Sequence, residues 1–203
     1  MGCIFETISV NAQCLPGWNS TTLTFGPDPN GCSWIIEFCY KCGISGADPA
    51  NVKVMDIKPA NPRSPCPNWT PDETWLRSQF MPHYALFCDI PPCSTGCRIL
   101  TLEFPICYQW STFGWQNPDL SYHYKNWKTP CINGDYCIVT WQVCRDEQTL
   151  DIIKCPNSPD PNYQRIEYTC NRNSPWPSEP GEPSVHFTGW LQNSECYKEM
   201  DCP

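Results

Sequence analysis

The sequence predicts an all-β fold of short antiparallel strands, sandwich-like, stapled by disulfides and joined by long proline-rich loops. Three observations predict it. The 203 residues include 17 cysteines, a density that reads as a disulfide framework built in an oxidising space. The 23 prolines work against helix bundles, because proline inside a helix costs about 3 kcal/mol. Apolar and polar residues alternate in several runs, which is the period of a half-buried strand.

In chain order, the first such run is the β-prone "IFETISV" (residues 4–10) beside Cys3. The next is "GCSWIIEFCYKCG", residues 31–43. Read as a strand, it puts Cys32, Trp34, Ile36, Phe38, Tyr40 and Cys42 on one face and Ser33, Ile35, Glu37, Cys39 and Lys41 on the other. Its C-x-x-C therefore splits across two faces, so Cys39 and Cys42 are expected to take different partners. A redox pair would sit at a helix N-terminus, and "GISGADPAN" after Cys42 is turn chemistry.

"NVKVMDIKP" supplies a second strand and "PANPRSPCPN" a loop with a cysteine. "CRILTLEFPICYQW" gives a third, with Leu100, Leu102, Phe104, Ile106, Tyr108 and Trp110 on one face. Pro105 lacks a backbone donor, which predicts an edge position or a bulge. "CIVTWQVC", residues 137–144, repeats the C-x6-C spacing of residues 32–39, with Cys137, Val139, Trp141 and Val143 on its apolar face and Cys144 opposite. "TLDIIKCP" and a second Pro/Asn loop follow. Two related hairpin units result, over about 30–66 and 135–157, in which Trp34 and Trp141 are expected to hold equivalent buried positions. The expected organisation is a first β unit at 1–87, a second at 88–172 and a proline-rich extended arm at 173–203; one compact body also fits. In the arm, Pro177, Pro180 and Pro183 recur every three residues, the polyproline II period. Val185, Phe187 and Leu191 then alternate as a strand that either reaches a neighbouring subunit or folds back.

The two strands that read C-x-W/V-x-x-x-x-C-Y/R-K/D, at Cys32–Lys41 and Cys137–Asp146, resemble a strand in uncharacterised cysteine-rich secreted proteins of the Bacteroidota–Chlorobi bacterial group. There, a strand similar to C-x-V-x-Y-C-Y-R is followed by a hairpin and a Pro/Cys loop. The resemblance implies secretion and an all-β fold, and it implies no catalytic residue.

Composition excludes several functions. The net charge is −8 without a Lys/Arg cluster, which disfavours nucleic acid. No apolar run approaches the roughly 20 residues of a membrane span. "MGCIFETISV" lacks the basic start and apolar core of a signal peptide, so a leader is expected to have been removed. Myristoylation would want Ser or Thr where Glu6 stands.

His83, Cys88, Cys93 and Cys97 could form a tetrahedral zinc site. Their spacing matches no finger pattern, and Pro91, Pro92 and Gly96 make the region a turn-rich knot, so disulfides are the expected state and no metal is assigned. Cys32, Cys39, Cys42, Cys88, Cys93, Cys97, Cys137 and Cys144 are the structural disulfide candidates. The only histidines are His83, His123 and His186, no nucleophile or phosphate motif occurs, and Asp72-Glu73 and Asp146-Glu147 read as solvated turns. No catalytic residue and no cofactor are assigned. Asn19 and Asn68 stand in glycosylation sequons within loop-like sequence.

The stretch 107–127 interleaves Trp110, Phe113, Trp115, Tyr122, Tyr124 and Trp127 with Gln, Asn and Asp. Such rings fill a core, face a protein partner or stack on glycan; Trp110, Trp115, Tyr122, Tyr124 and Trp127 are the interface candidates. An odd cysteine count leaves at least one without an intrachain partner, and the terminal Cys3 and Cys202 are best placed to reach another chain. The function expected is a self-assembling structural subunit of an extracellular filament, sheath or coat, at the cell surface or secreted. The alternative is a monomeric secreted module that binds glycan or protein.

Overall fold

The computed structural model describes residues 14–43, 49–67, 69–83, 88–131, 136–156, 162–166, 178–192 and 196–198. The fold is all-β, with one helix among the described residues. The elements are β1 (Asn19–Phe25), β2 (Trp34–Lys41), β3 (Ala50–Pro59), α1 (Glu73–His83), β4 (Arg98–Pro105), β5 (Cys107–Gln116), β6 (Tyr122–Pro130), β7 (Tyr136–Arg145), β8 (Ile152–Lys154), β9 (Asn162–Ile166), β10 (Gly189–Gln192) and β11 (Tyr197–Lys198).

Seven strands form the first sheet in the order β1-β2-β3-β4-β7-β8, with β9 also on β7. Both sequence-predicted hairpins, β2–β3 and β7–β8, lie in this one sheet. Strands from either side of residue 87 are therefore neighbours. The second sheet is built on β5, with β6 along one edge and β10 followed by β11 along the other.

The apolar faces read from the period-2 pattern are the buried ones. Trp34, Ile36 and Phe38 of β2 are buried, as are Leu100, Leu102 and Phe104 of β4 and Val139 and Val143 of β7. Trp34 and Trp141 differ, however: the first is fully buried, while the second packs half-buried against the core. The main cluster joins both sheets and α1. Trp34 meets Trp127 of β6 edge-on at 5.8 Å, and Phe80 of α1 meets Phe25 and Phe38 at 5.3 and 5.7 Å.

Three features depart from the expected pattern. The first is α1 itself. β3 and β4 pair in parallel, residues 50–53 with 100–103, and a parallel pair needs a long crossover, commonly helical. Asp72, solvent-exposed as expected, is the N-cap of that helix rather than a turn residue: its Oδ1 accepts from the N–H of Trp75 at 2.7 Å. Leu76 and Phe80, one turn apart, are its buried face.

The second concerns Pro105, which neither bulges one long strand nor sits on an edge strand. It ends β4, opposite Tyr136 and beyond the last β3 pairing, and the chain crosses through Ile106 into the other sheet. The third is β1. The sequon residue Asn19 opens this strand in register with Tyr40 rather than lying in a loop; Asn68 lies outside the described residues.

Residues 178–192 fold back over their own chain. Trp190, not Leu191, packs inward, against Phe113 at 5.2 Å, while Val185 and Leu191 are exposed. Pro177 lies outside the described residues.

Candidate functional site

Fourteen cysteines are described, and all are disulfide-bonded. Six bridges join described pairs: Cys14–Cys39, Cys32–Cys66, Cys42–Cys88, Cys93–Cys144, Cys97–Cys155 and Cys131–Cys196. Cys107 and Cys137 are bonded as well. Cys39 and Cys42 thus have different partners. The remaining cysteines, Cys3, Cys170 and Cys202, lie outside the described residues, so the one left over by parity is among those three.

These bridges consume the candidate zinc ligands. Cys88, Cys93 and Cys97 belong to three different disulfides, and His83 turns its Nδ1 to the Gln79 carbonyl at 2.6 Å and its ring to Phe25. The sulfurs of Cys97, Cys144 and Cys155 do lie within 4.8 Å of one another, but as parts of two adjacent disulfides, not as thiolates. Buried Arg98 secures the same region, donating to the carbonyls of Asp89 and Gly43.

One constellation imitates a hydrolytic triad. Asp119, Ser121 and His123 sit together at the tight turn into β6. Its wiring is wrong for a nucleophile. The Ser121 hydroxyl gives its proton to Asp119 Oδ1 at 2.6 Å, so toward His123 Nε2, 3.1 Å away, it can only accept. A nucleophilic serine donates to the imidazole, and the carboxylate holds the opposite ring nitrogen. The Ser121 backbone N–H also donates to Asp119 Oδ1, and these bonds hold the Asp119 carboxyl below the usual carboxylate range. The turn is structural.

Of the candidate interface rings, Trp110 and Trp127 are buried in the chain and offer no surface to a partner. Trp115, Tyr122 and Tyr124 are half-buried on the second sheet. Trp115 stacks on His123 at 5.5 Å. Tyr122 and Tyr124, two apart on β6, share a face and line an open groove of about 320 Å³ with His123, Asn126, Pro180, Gly181 and Glu182. The wall formed by residues 180–182 is the part that sequence reasoning missed; the only signal was the expectation that the arm folds back.

The other notable surface is an edge. β1 ends the first sheet and, among the described residues, pairs only with β2. Its register runs unbroken from Asn19↔Tyr40 to Phe25↔Trp34. "NSTTLTF" carries no charge and no proline, and Ser20, Thr22 and Thr24 are exposed.

No helix among the described residues is long and apolar enough to cross a membrane. Comparison of the chain with protein-family models, with curated proteins and with solved structures finds no match in any of the three.

Proposed function

We propose that the protein is a structural subunit of a disulfide-stabilised extracellular assembly, in which copies join by strand addition at the β1 edge. The observation that carries this reading is the unguarded edge itself. Sheet edges present unpaired N–H and C=O groups, and proteins that stay apart blunt them with Lys, Pro, bulges or a covering segment. β1 has no Lys, Pro or bulge in its seven residues, and no segment covers its free edge among the described residues.

The partner is a second copy of the chain. Of the two β-prone terminal segments, the C-terminal one is already used within its own chain, as β10 on β5. The β-prone residues 4–10 of a neighbour are the proposed added strand, with backbone hydrogen bonds supplying affinity. A head-to-tail contact of this kind propagates unless its rotation closes a ring. The bridges support the same role. Each described one closes a stretch with a sequence separation of 25 to 65 residues and is worth roughly 2–4 kcal/mol, which suits a part that must persist outside the cell.

The test is Thr22→Lys with Thr24→Lys, placing two charges on the edge without touching the core. Wild type should form particles well above the single-chain mass, and the double variant should lose them while keeping its unfolding midpoint. Assembly unchanged in the variant would remove β1 as the joint.

A further inference from the structure

The groove on the second sheet has no role in strand addition, since it lies on β6 and not on the first sheet's edge. We infer that it is a binding site for a neutral saccharide unit. Most of its polar side chains are already committed within the chain. Its floor is fixed, because β6 pairs with β5 along its whole length, from Tyr122↔Gln116 to Pro130↔Tyr108.

Asn126 clamps the wall to that floor. Its Nδ2 donates to the Pro180 carbonyl at 2.7 Å and to Glu179 Oε1 at 3.2 Å, and its Oδ1 accepts from Thr112 Oγ1. Tyr124 is held by His186, hydroxyl to Nδ1 at 3.1 Å, and by the Phe187 ring at 5.3 Å. Gly114 lets the segment lie this close: a Cβ there would stand 2.5 Å from the Phe187 carbonyl oxygen.

Besides the exposed His123 Nδ1, two side-chain groups of the lining are left over. The Tyr122 hydroxyl and the Glu182 carboxylate make no hydrogen bond among the described residues, although the Tyr122 ring is seated against His186 at 4.3 Å. A positioned donor–acceptor hydroxyl beside a free carboxylate acceptor suits a ligand rich in hydroxyls. Among the described residues the lining is mostly polar and includes no Lys or Arg, while Glu179 stands beside it and Glu182 within it. The nearest lysine on β6, Lys125, is turned away to the carbonyls of Ser64 and Cys66. That charge balance disfavours uronates and sulfated sugars. The described rings pack against one another rather than forming an open cage, which argues against a methylated or lysyl ammonium.

The experiment titrates the intact oxidised protein with cellohexaose, maltohexaose and N-acetylchitohexaose, with oligogalacturonate and oligolysine as competing chemistries. Calorimetry and the NMR signals of the Tyr122 ring give the readout. At least one neutral hexasaccharide should bind saturably, and Tyr122→Phe and Glu182→Gln should each weaken it about tenfold. Gly181→Trp should abolish binding by filling the groove, since a Cβ at Gly181 meets nothing within 4 Å. Failure of all three neutral sugars, tighter binding of oligogalacturonate or oligolysine, or sugar binding indifferent to Gly181→Trp in a normally folded variant would each overturn the assignment. Assembly is read separately by particle mass, so this site and the β1 joint stand or fall independently.

Discussion

Replacing Asp28 should be among the most damaging polar substitutions in this chain. Asp28 is only 4 % exposed and lies at the turn between β1 and β2. Its Oδ1 accepts from the backbone N–H groups of Asn30 and Cys32, both at 2.9 Å, and its Oδ2 accepts from Trp34 Nε1 at 3.0 Å. Trp34 is fully buried and braced edge-on by Trp127, so one carboxylate fixes both the turn and the orientation of the ring that joins the two sheets. Hydrogen bonds to a charged acceptor are worth about 1.5–3 kcal/mol each, and an orphaned buried donor costs about 1–3 kcal/mol. The three share one acceptor and do not add fully, and water can reach the part-buried Asn30 N–H. Asp28→Ala should therefore cost about 3–4 kcal/mol. Asp28→Asn, which either turns an amide N–H against the indole N–H or withdraws an acceptor from the backbone donors, should cost about 1–3 kcal/mol. Trp34→Phe should cost less in the Asp28→Asn background than in wild type, with a coupling of about 1 kcal/mol. The assay is guanidinium unfolding without reductant, followed by far-ultraviolet circular dichroism. A loss below about 1 kcal/mol for Asp28→Ala, or coupling indistinguishable from zero, would refute the bracket.

Further outcomes follow from the same geometry. Gly114→Ala should lift residues 178–188 off the second sheet, making that segment cleavable by protease in the native protein; equal resistance to wild type would show that the close approach at Phe187 is easily relieved. Cys131→Ser with Cys196→Ser should lower stability by roughly 2–4 kcal/mol and speed amide exchange in β11, whereas unchanged exchange would mean that the bridge does not hold the strand. Asp146 and Glu147 are held below the usual carboxylate range by bonds from Thr149 and Gln148 and from Ser94, respectively. Because their folded values are lowered, the stabilisation is present above the ordinary carboxylate range and is lost as pH falls through the folded values. Amide exchange at Thr149 and Ser94 should quicken at acid pH ahead of exchange in β2, and simultaneous quickening would contradict this.

Much of the fold was legible because strand periodicity reports burial directly. The faces of β2, β4 and β7 follow from where Trp34, Leu100 and Val139 fall. The same periodicity says which face a residue takes but not which sheet it joins. The alternation through "CRILTLEFPICYQW" runs unbroken across Ile106, so the crossing from β4 to β5 leaves no mark on it. The helix was obscured because Pro82 stands near its end and its apolar face is narrow; the signal was Asp72 followed by Leu76 and Phe80 one turn apart. For Trp110 and Trp127 the sequence leaves core, partner and glycan open, because both alternate with polar neighbours; both are buried, and Trp127 finds Trp34 in the other sheet. Half the groove was legible in Tyr122 and Tyr124. Its wall comes from Pro180–Glu182, and local spacing carries no information about a contact that distant. The disulfide partners were illegible for the same reason, because cysteine spacing alone does not fix connectivity.

The most direct test of strand addition is the particle mass of the oxidised protein across a concentration series, by light scattering and negative-stain electron microscopy, for wild type beside Thr22→Lys/Thr24→Lys. Joining at β1 predicts ordered polymers of wild type and a 23.3 kDa species for the variant. Wild type that remains a 23.3 kDa monomer at every concentration would contradict the structural-subunit reading.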